Sequence, residues 1–452
     1  MKTLIPWTLL ASIVILVLAG CAAPSQEVVV TESVGANEDE NDVIDVDGAS
    51  DDSAPTTADP YAAEEDQAME EEAPASEGDD DRGGGEGAGG PAESPSVVDE
   101  QFQPDLSAGE INDNSEFDAY LQYRRDYARF VGLANVLDVD VSQRHMLRIT
   151  TPDGLPVLGA TVTIYDGQNL LATLQTNATG IAYVFPLAYT NGAANLNVTV
   201  RKGDAVEQLN LEGETGEWDV VLDTDPAEAP VQLDVMFLID ATGSMDDEIA
   251  QLKENILSIS AQVAALPSQP NVRFGMVHYR DRGDEYVTRI TQFTGSIDTF
   301  QSALLEVQAA GGGDEPESLN EGMHRAIWDV DWRQEDTVKL MFLVADAPPH
   351  LDYQQDFDYA QEMANAASFG IKVHPIASSG LNAQGEYIFR QIAQFTGGNF
   401  IFLTYDSQPQ ASGEPGRDDV SVPDYTVEDL DALVVRLIRD ELAALFGPID
   451  QQ

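Results

Sequence analysis

Three short stretches carry oxygen-bearing side chains at the ends of apolar runs. Residues 237–246 read FLIDATGSMD, placing Asp240, Thr242 and Ser244 at alternate positions directly after such a run. Residues 311–318 read GGGDEPES, a glycine loop carrying Asp314. Asp346 ends the run FLVAD and is followed by Ala-Pro-Pro-His. Carboxylates and hydroxyls are hard donors, and no thiolate or paired histidines accompany them, so the matching ligand is a hard divalent cation, Mg²⁺ or Ca²⁺. Each residue also has a purely local reading. Ser244 with Asp247, and Asp314 with Glu317, fit the spacing of a helix N-cap and its partner three residues on. Three such loops on three strand ends favour the shared ion over three separate caps.

The loops need a scaffold, and the chain from Val231 onward supplies one. VQLDVMFLID, VRFGMVHYR, VKLMFLVAD and IKVHPIA read as buried strands, with helical patterns between them. In the first of these helices Ile249, Leu252, Ile256, Ile259, Val263 and Leu266 recur at intervals of three and four, the stripe of a helix covering a sheet. Strands alternating with helices predict a doubly wound, Rossmann-like α/β fold with a mostly parallel sheet, whose functional groups gather at the carboxyl ends of the strands. The last helix is expected to start at Thr426 and end before Gly447-Pro448.

LDVMFLIDATGSM, the glycine loop and FLVADAPPH, in that order, resemble a von Willebrand factor type A domain with its metal-ion-dependent adhesion site. The resemblance covers about residues 231–446. The family's Asp-x-Ser-x-Ser loop maps onto Asp240, Thr242 and Ser244, with threonine keeping the first hydroxyl. Its third-loop aspartate maps onto Asp346. Where the family usually has a threonine in the second loop, this chain has Asp314, so about -3 of charge would face +2, and the ion would attract a partner's carboxylate less strongly. The resemblance implies metal binding and a protein ligand. Arg282-Gly283-Asp284 reads as a charged turn between strands, and His350 lies close enough to Asp346 in sequence to line the site.

Before this domain, HMLRIT, ATVTIYD, LLATLQT, IAYVFP, LNVTVRK and WDVVLD alternate in the manner of short strands between turn signals, which predicts a small all-β sandwich of seven or so strands. TPDGLPVLGATVTIYDG followed by TNATG is similar to carboxypeptidase-regulatory-like domains. It holds no nucleophile or metal cluster, so a spacer or packing module is the simpler role. Asn177-Ala-Thr and Asn197-Val-Thr fit the glycosylation pattern. Further upstream, Phe117, Tyr120, Leu121, Tyr127 and Phe130 sit at helical separations, as in a short helix packed on the unit that follows.

The amino terminus has the form of a secretory signal, an apolar stretch ending in Leu-Ala-Gly-Cys. Those four residues resemble the lipobox of prokaryotic lipoproteins, which implies acylation of Cys21 and anchoring in an outer membrane or at the cell surface. Cys21 is the only cysteine, so no intrachain disulfide forms and core burial must hold the domains. Between Ala22 and Glu110 stand 27 acidic residues against Arg82 alone, with Gly, Ala, Pro and Ser making up much of the rest; this composition predicts a disordered tether spanning on the order of 50 Å. The plan is therefore a signal peptide over 1–20, an acidic linker over 21–110, a helical segment over 111–142, a sandwich over 143–224 and the α/β domain over 231–446.

A net charge of -58 excludes nucleic acid as a partner. Only five of the 22 basic residues are lysines, a balance suited to high salt, where screening removes self-repulsion. Asp240-Ala-Thr-Gly-Ser is also similar to the nucleophile loop of haloacid-dehalogenase-type phosphatases, but no lysine sits in a comparable loop to steady a phosphoryl group. The expectation is a lipid-anchored envelope binding protein and not an enzyme; a structural component whose metal only stabilises the domain is the alternative.

Overall fold

The computed structural model describes residues 106–130, 136–190, 195–213, 215–313, 315–405 and 428–447. All of them lie in one unit, Ser96–Gln452. The signal peptide, Cys21 and the linker up to residue 105 lie outside the described residues. Among the described residues no helix is long and apolar enough to cross a membrane.

The first elements are β1 (Leu106–Ile111) and α1 (Phe117–Phe130). Seven strands follow: β2 (His145–Thr150), β3 (Thr161–Asp166), β4 (Asn169–Gln175), β5 (Ile181–Val184), β6 (Asn195–Lys202), β7 (Ala205–Glu212) and β8 (Gly216–Val221), with α2 (Pro186–Tyr189) after β5. Strands and helices then alternate: β9 (Gln232–Asp240), α3 (Asp246–Ala264), β10 (Asn271–Tyr279), β11 (Thr288–Thr294), α4 (Ile297–Leu305), α5 (Leu319–Trp328), β12 (Thr337–Ala345), α6 (Tyr359–Ser368), β13 (Ile371–Ala377), α7 (Ala383–Thr396), β14 (Phe400–Tyr405), β15 (Glu428–Asp429) and α8 (Leu430–Ala444).

The main sheet runs β11-β10-β9-β12-β13-β14-β1-β15. The five strands from β10 to β14 in that order are parallel, and β11, β1 and β15 run antiparallel to their neighbours. Residue alternation splits β9 between two cores. Leu233, Val235, Phe237 and Ile239 face one layer with α3 and α8, while Met236 and Leu238 face the other with α5 and α7. The six apolar residues read as the stripe of the first helix are all buried in the first layer. From β9 the chain goes outward to β10 and β11, then returns to β12 on the other side of β9. The order reverses between β9 and β12, and that reversal opens a crevice at their carboxyl ends.

Two sheets, β5-β2-β8 and β4-β3-β6-β7, pack on a shared core that includes Leu147, Ile149, Val162, Ile164 and Val198. The sandwich meets the α/β layers through Phe185 on Phe395, with ring centroids 5.2 Å apart, and through Ala178 N–H to Glu441 Oε1 at 3.3 Å. Phe395 closes α7, so this contact lies at the end of the sheet opposite the crevice.

Four expectations need correction. Residues 106–110, assigned to the linker, and Ile111, assigned to the helical segment, form β1 and pair with β14 from Leu106↔Tyr405 to Ile111↔Phe400. LSAGEI is too short and mixed to declare itself; the open edge of β14 selects it. The helix at 117 packs on the α/β domain and not chiefly on the sandwich that follows it, with Tyr123 stacked 6.1 Å from Tyr387. The sandwich is thus inserted between α1 and β9. β7 escaped the strand reading because its side chains Glu207, Gln208 and Asn210 are exposed at a sheet edge and need no apolar alternation. Finally, α8 begins at Leu430 and not at Thr426, because Glu428–Asp429 are extended against β1.

Candidate metal centre

Two of the three expected loops leave strand carboxyl ends at the crevice, after β9 and β12; the glycine loop was expected at a third strand end but joins α4 to α5, and backbone bonds bring it onto the first loop. Asp240 is the last residue of β9 and is completely buried. Its Oδ1 accepts from Thr242 N–H at 2.9 Å and from the Thr242 hydroxyl at 2.7 Å, while its Oδ2 is buried without a hydrogen bond of ordinary geometry, near the equally buried Tyr279 hydroxyl. The Thr242 and Ser244 hydroxyls lie 3.2 Å apart. Asp346, just beyond β12, is near enough for the Ser244 hydroxyl to oppose the rise of its pKa, so Asp240, Thr242, Ser244 and Asp346 share one neighbourhood. Ser244 is not the cap that local spacing suggested. It sits within a 3-10 turn, Gly243–Met245, and the N-cap of α3 is Met245, with no side-chain bond.

The glycine loop is laced to the first loop by backbone bonds, Gly243 N–H to Gly311 O at 2.9 Å and Ala310 N–H to Ala241 O at 3.1 Å. Gly311 and Gly312 have φ of +80° and +61°, a conformation side chains disfavour. A Cβ on Gly312 would also stand 2.9 Å from Thr242 Cβ and 2.6 Å from Glu317 Oε1. Only glycine lets the two loops approach this closely. Asp314 lies outside the described residues.

Glu317 is the residue the sequence reading missed. It precedes α5 and caps nothing; it is 3% exposed, and its Oε2 has no partner. Its backbone clips the third loop, Glu317 N–H to Pro348 O and His350 N–H to Glu317 O, both at 3.0 Å. The available signal was a carboxylate directly after a proline inside a glycine loop.

These carboxyls share a low-dielectric crevice, and their electrostatics follow. Burial, reinforced by Asp346, pushes Asp240 up to about 7 against the opposing bonds from Thr242. Burial takes Asp346 up to about 6, opposed by the Ser244 bond and reinforced by Glu248. Burial, then the charges of Asp240, Asp281 and Asp346, takes Glu317 up to about 9. Three orphaned oxygens, Asp240 Oδ2, Asp346 Oδ1 and Glu317 Oε2, are therefore buried among like charges. Orphaned acceptors of this depth need an explanation, and a hard dication is a ligand whose chemistry would answer it. Among the described residues no three His, Cys, Asp or Glu gather as a metal-binding group of their own. The donor set here instead mixes carboxylates with hydroxyls, and it fits Mg²⁺ or Ca²⁺ better than Zn²⁺.

His350 is turned to other work. Its Nδ1 pairs with Asp352 at 2.8 Å, and its ring stacks on Tyr353 at 3.8 Å. The Arg282-Gly283-Asp284 tripeptide does form a turn between β10 and β11, with its charges engaged inside the molecule.

Residues 234–405 match the von Willebrand factor A domain family. Among curated proteins, the alpha-protein kinase vwkA of Dictyostelium discoideum is 34% identical over 120 residues, 26% of this chain and 19% of that protein. A putative ariadne-like RING finger protein R811 of Acanthamoeba polyphaga mimivirus is 28% identical over 131 residues, 29% of this chain and 12% of that protein. The von Willebrand factor A domain-containing protein 7 of Rattus norvegicus is 34% identical over 107 residues, 24% of this chain and 11% of its own length. The match therefore spans at most 19% of these relatives. Among solved structures, the open conformation of the pilus adhesin SpaC from Lactobacillus rhamnosus GG aligns over 52% of this chain and 32% of that one, at 13% identity and a TM-score of 0.29, too slight a likeness to build on.

Proposed function

Residues 234–405 are a von Willebrand factor A domain, and on that footing we propose that the chain is a cell-envelope binding protein that presents a divalent-cation site to a protein partner. Asp240, Thr242, Ser244 and Asp346 would hold the ion, with Glu317 beside them and Asp314 as a further donor. A bound Mg²⁺ or Ca²⁺ supplies a positive centre with room for an oxygen from the partner. The chain's own residues do the rest: Thr242 and Ser244 orient the two aspartates, and the glycines let the loops converge. The observation that carries the reading is the set of three buried carboxylate oxygens without partners at one strand crevice. Cys21 as a lipid anchor would hold the protein at an outer membrane or cell surface, and the net charge argues against nucleic acid as a partner. The role is binding and not catalysis.

Titration calorimetry of the full chain with Mg²⁺ and with Ca²⁺, wild type against Asp240→Ala, tests the site. Saturable uptake by the wild type alone is expected; equal heats from both proteins contradict it. Crosslinking in native cells with and without chelator tests the partner, and mass spectrometry of the mature amino terminus tests acylation of Cys21.

One observation favours a second reading. Glu317 adds a carboxylate to the pair from Asp240 and Asp346, so a dication would be over-neutralised and would draw a partner's carboxylate weakly. In that case the ion stabilises the domain and nothing more. Metal-dependent stabilisation with no chelator-sensitive crosslink supports this second reading.

A further inference from the structure

Resting on the metal reading above, we propose that the segment Arg280–Asp284, which contributes no candidate ligand, is the positioning element that holds all three loops in register. Between them its four charged side chains reach all three loops. Arg280 donates to Ala241 O of the first loop at 3.1 Å and to Gln308 O at the root of the glycine loop at 2.8 Å. Asp281 accepts from the Ser318 hydroxyl at the far end of the glycine loop at 2.8 Å and from the Tyr353 hydroxyl of the third loop at 3.0 Å. Arg282 pairs with Asp356 at 2.8 Å and lies over the Tyr353 ring at 4.3 Å. Asp284 Oδ2 accepts from Gly312 N–H at 2.9 Å, and a Cβ on Gly311 would fall 2.2 Å from that same oxygen.

These contacts add to the backbone bonds that already tie the loops to one another. The glycine loop has little side-chain surface with which to hold its own conformation, so the Asp284 carboxylate takes that part. Groups that orient metal ligands without touching the ion commonly change affinity by 10–100-fold when removed. The charged turn Arg282-Gly283-Asp284 is on this account an internal brace.

The test is Mg²⁺ affinity by calorimetry together with the melting temperature of the metal-free full chain. Asp284→Ala is expected to weaken Mg²⁺ binding on the order of 10-fold, with an unchanged metal-free melting temperature. Asp284→Asn, which keeps an oxygen acceptor and drops the charge, is expected to retain most of the wild-type affinity. Arg282→Ala, on the more exposed arm, is the second variant and is expected to weaken binding in the same direction. Wild-type affinity in both alanine variants overturns the proposal. So does an equal loss in Asp284→Asn, which would make charge the operative quantity, or a loss of affinity that only tracks a fall in the metal-free melting temperature. A wild type that takes up no Mg²⁺ overturns the metal reading itself, a result distinct from the others.

Discussion

Where α7 meets the segment between β1 and α1, Arg390 donates to Asp113 through Nε at 3.0 Å and Nη2 at 2.6 Å, with the two side chains only 5% and 2% exposed. Asp234, fully buried on β9, is met in the same way by Arg273 and Arg333, at 2.7 Å and 2.9 Å. At the other end of that strand Asp240, with Asp346 and Glu317, is buried to a similar depth, and an oxygen of each has no partner. A buried charge without a counter-charge is heavily penalised. The chain is poor in bases, yet it found arginines for Asp113 and Asp234. Among the described residues no basic side chain forms an ion pair with Asp240, Asp346 or Glu317, although Arg280 is close by on the backbone of two of the loops, so the missing counter-charge is a property of that place and not of the composition.

Removing a partner from the paired cluster has the largest expected effect. Arg390→Met leaves Asp113 buried and alone and is expected to lower stability by about 3–5 kcal/mol in urea unfolding. Asp240→Asn is expected to leave metal-free stability intact, because it relieves repulsion, and to abolish the gain of about 2.7 kcal/mol that the wild type shows at an ion concentration a hundred times Kd. If Asp240→Asn destabilises the metal-free chain as much as Arg390→Met does, the contrast between the clusters is broken.

A pH series sharpens the contrast further. The crevice carboxyls titrate at about 6, 7 and 9 in the folded chain, above their ordinary values. Their protonation favours the fold fully at pH below the ordinary carboxylate range, and the gain is lost as pH rises through those three values. Metal-free urea midpoints are therefore expected to fall between pH 5 and pH 9, and saturating Mg²⁺ is expected to flatten the slope. The smallest effect belongs to exposed pairs. Asp336→Asn, which removes the charge that Lys202 meets on a 62% exposed side chain and keeps a residue tolerant of the positive φ of 47° there, is expected to change stability by less than about 1 kcal/mol.

The parts of the fold legible in the sequence are those that the core dictates. β9 and β12 are apolar runs because both faces of a parallel sheet are covered, and α3 shows its stripe because one face meets that sheet. β1 and β7 were not legible, since each owes its strand conformation to a neighbour's edge and not to its own pattern. The site was legible where spacing is local. Asp240, Thr242 and Ser244 stand two apart, and Asp346 ends an apolar run; the structure links all four. Glu317 and the Arg280–Asp284 brace were hidden because their roles depend on contacts across 28 to 74 residues of chain, between loops that only the folded sheet brings together.

The central claim is that these separate loops converge on one ion. A high-resolution crystal structure of the chain grown with Mn²⁺ in place of Mg²⁺, with anomalous data collected at the manganese edge, tests it most directly. The account predicts a single anomalous peak touching oxygens from Asp240, Ser244 or Thr242, and Asp346. Side chains turned away from one another around ordinary water, with no peak between them, would contradict it.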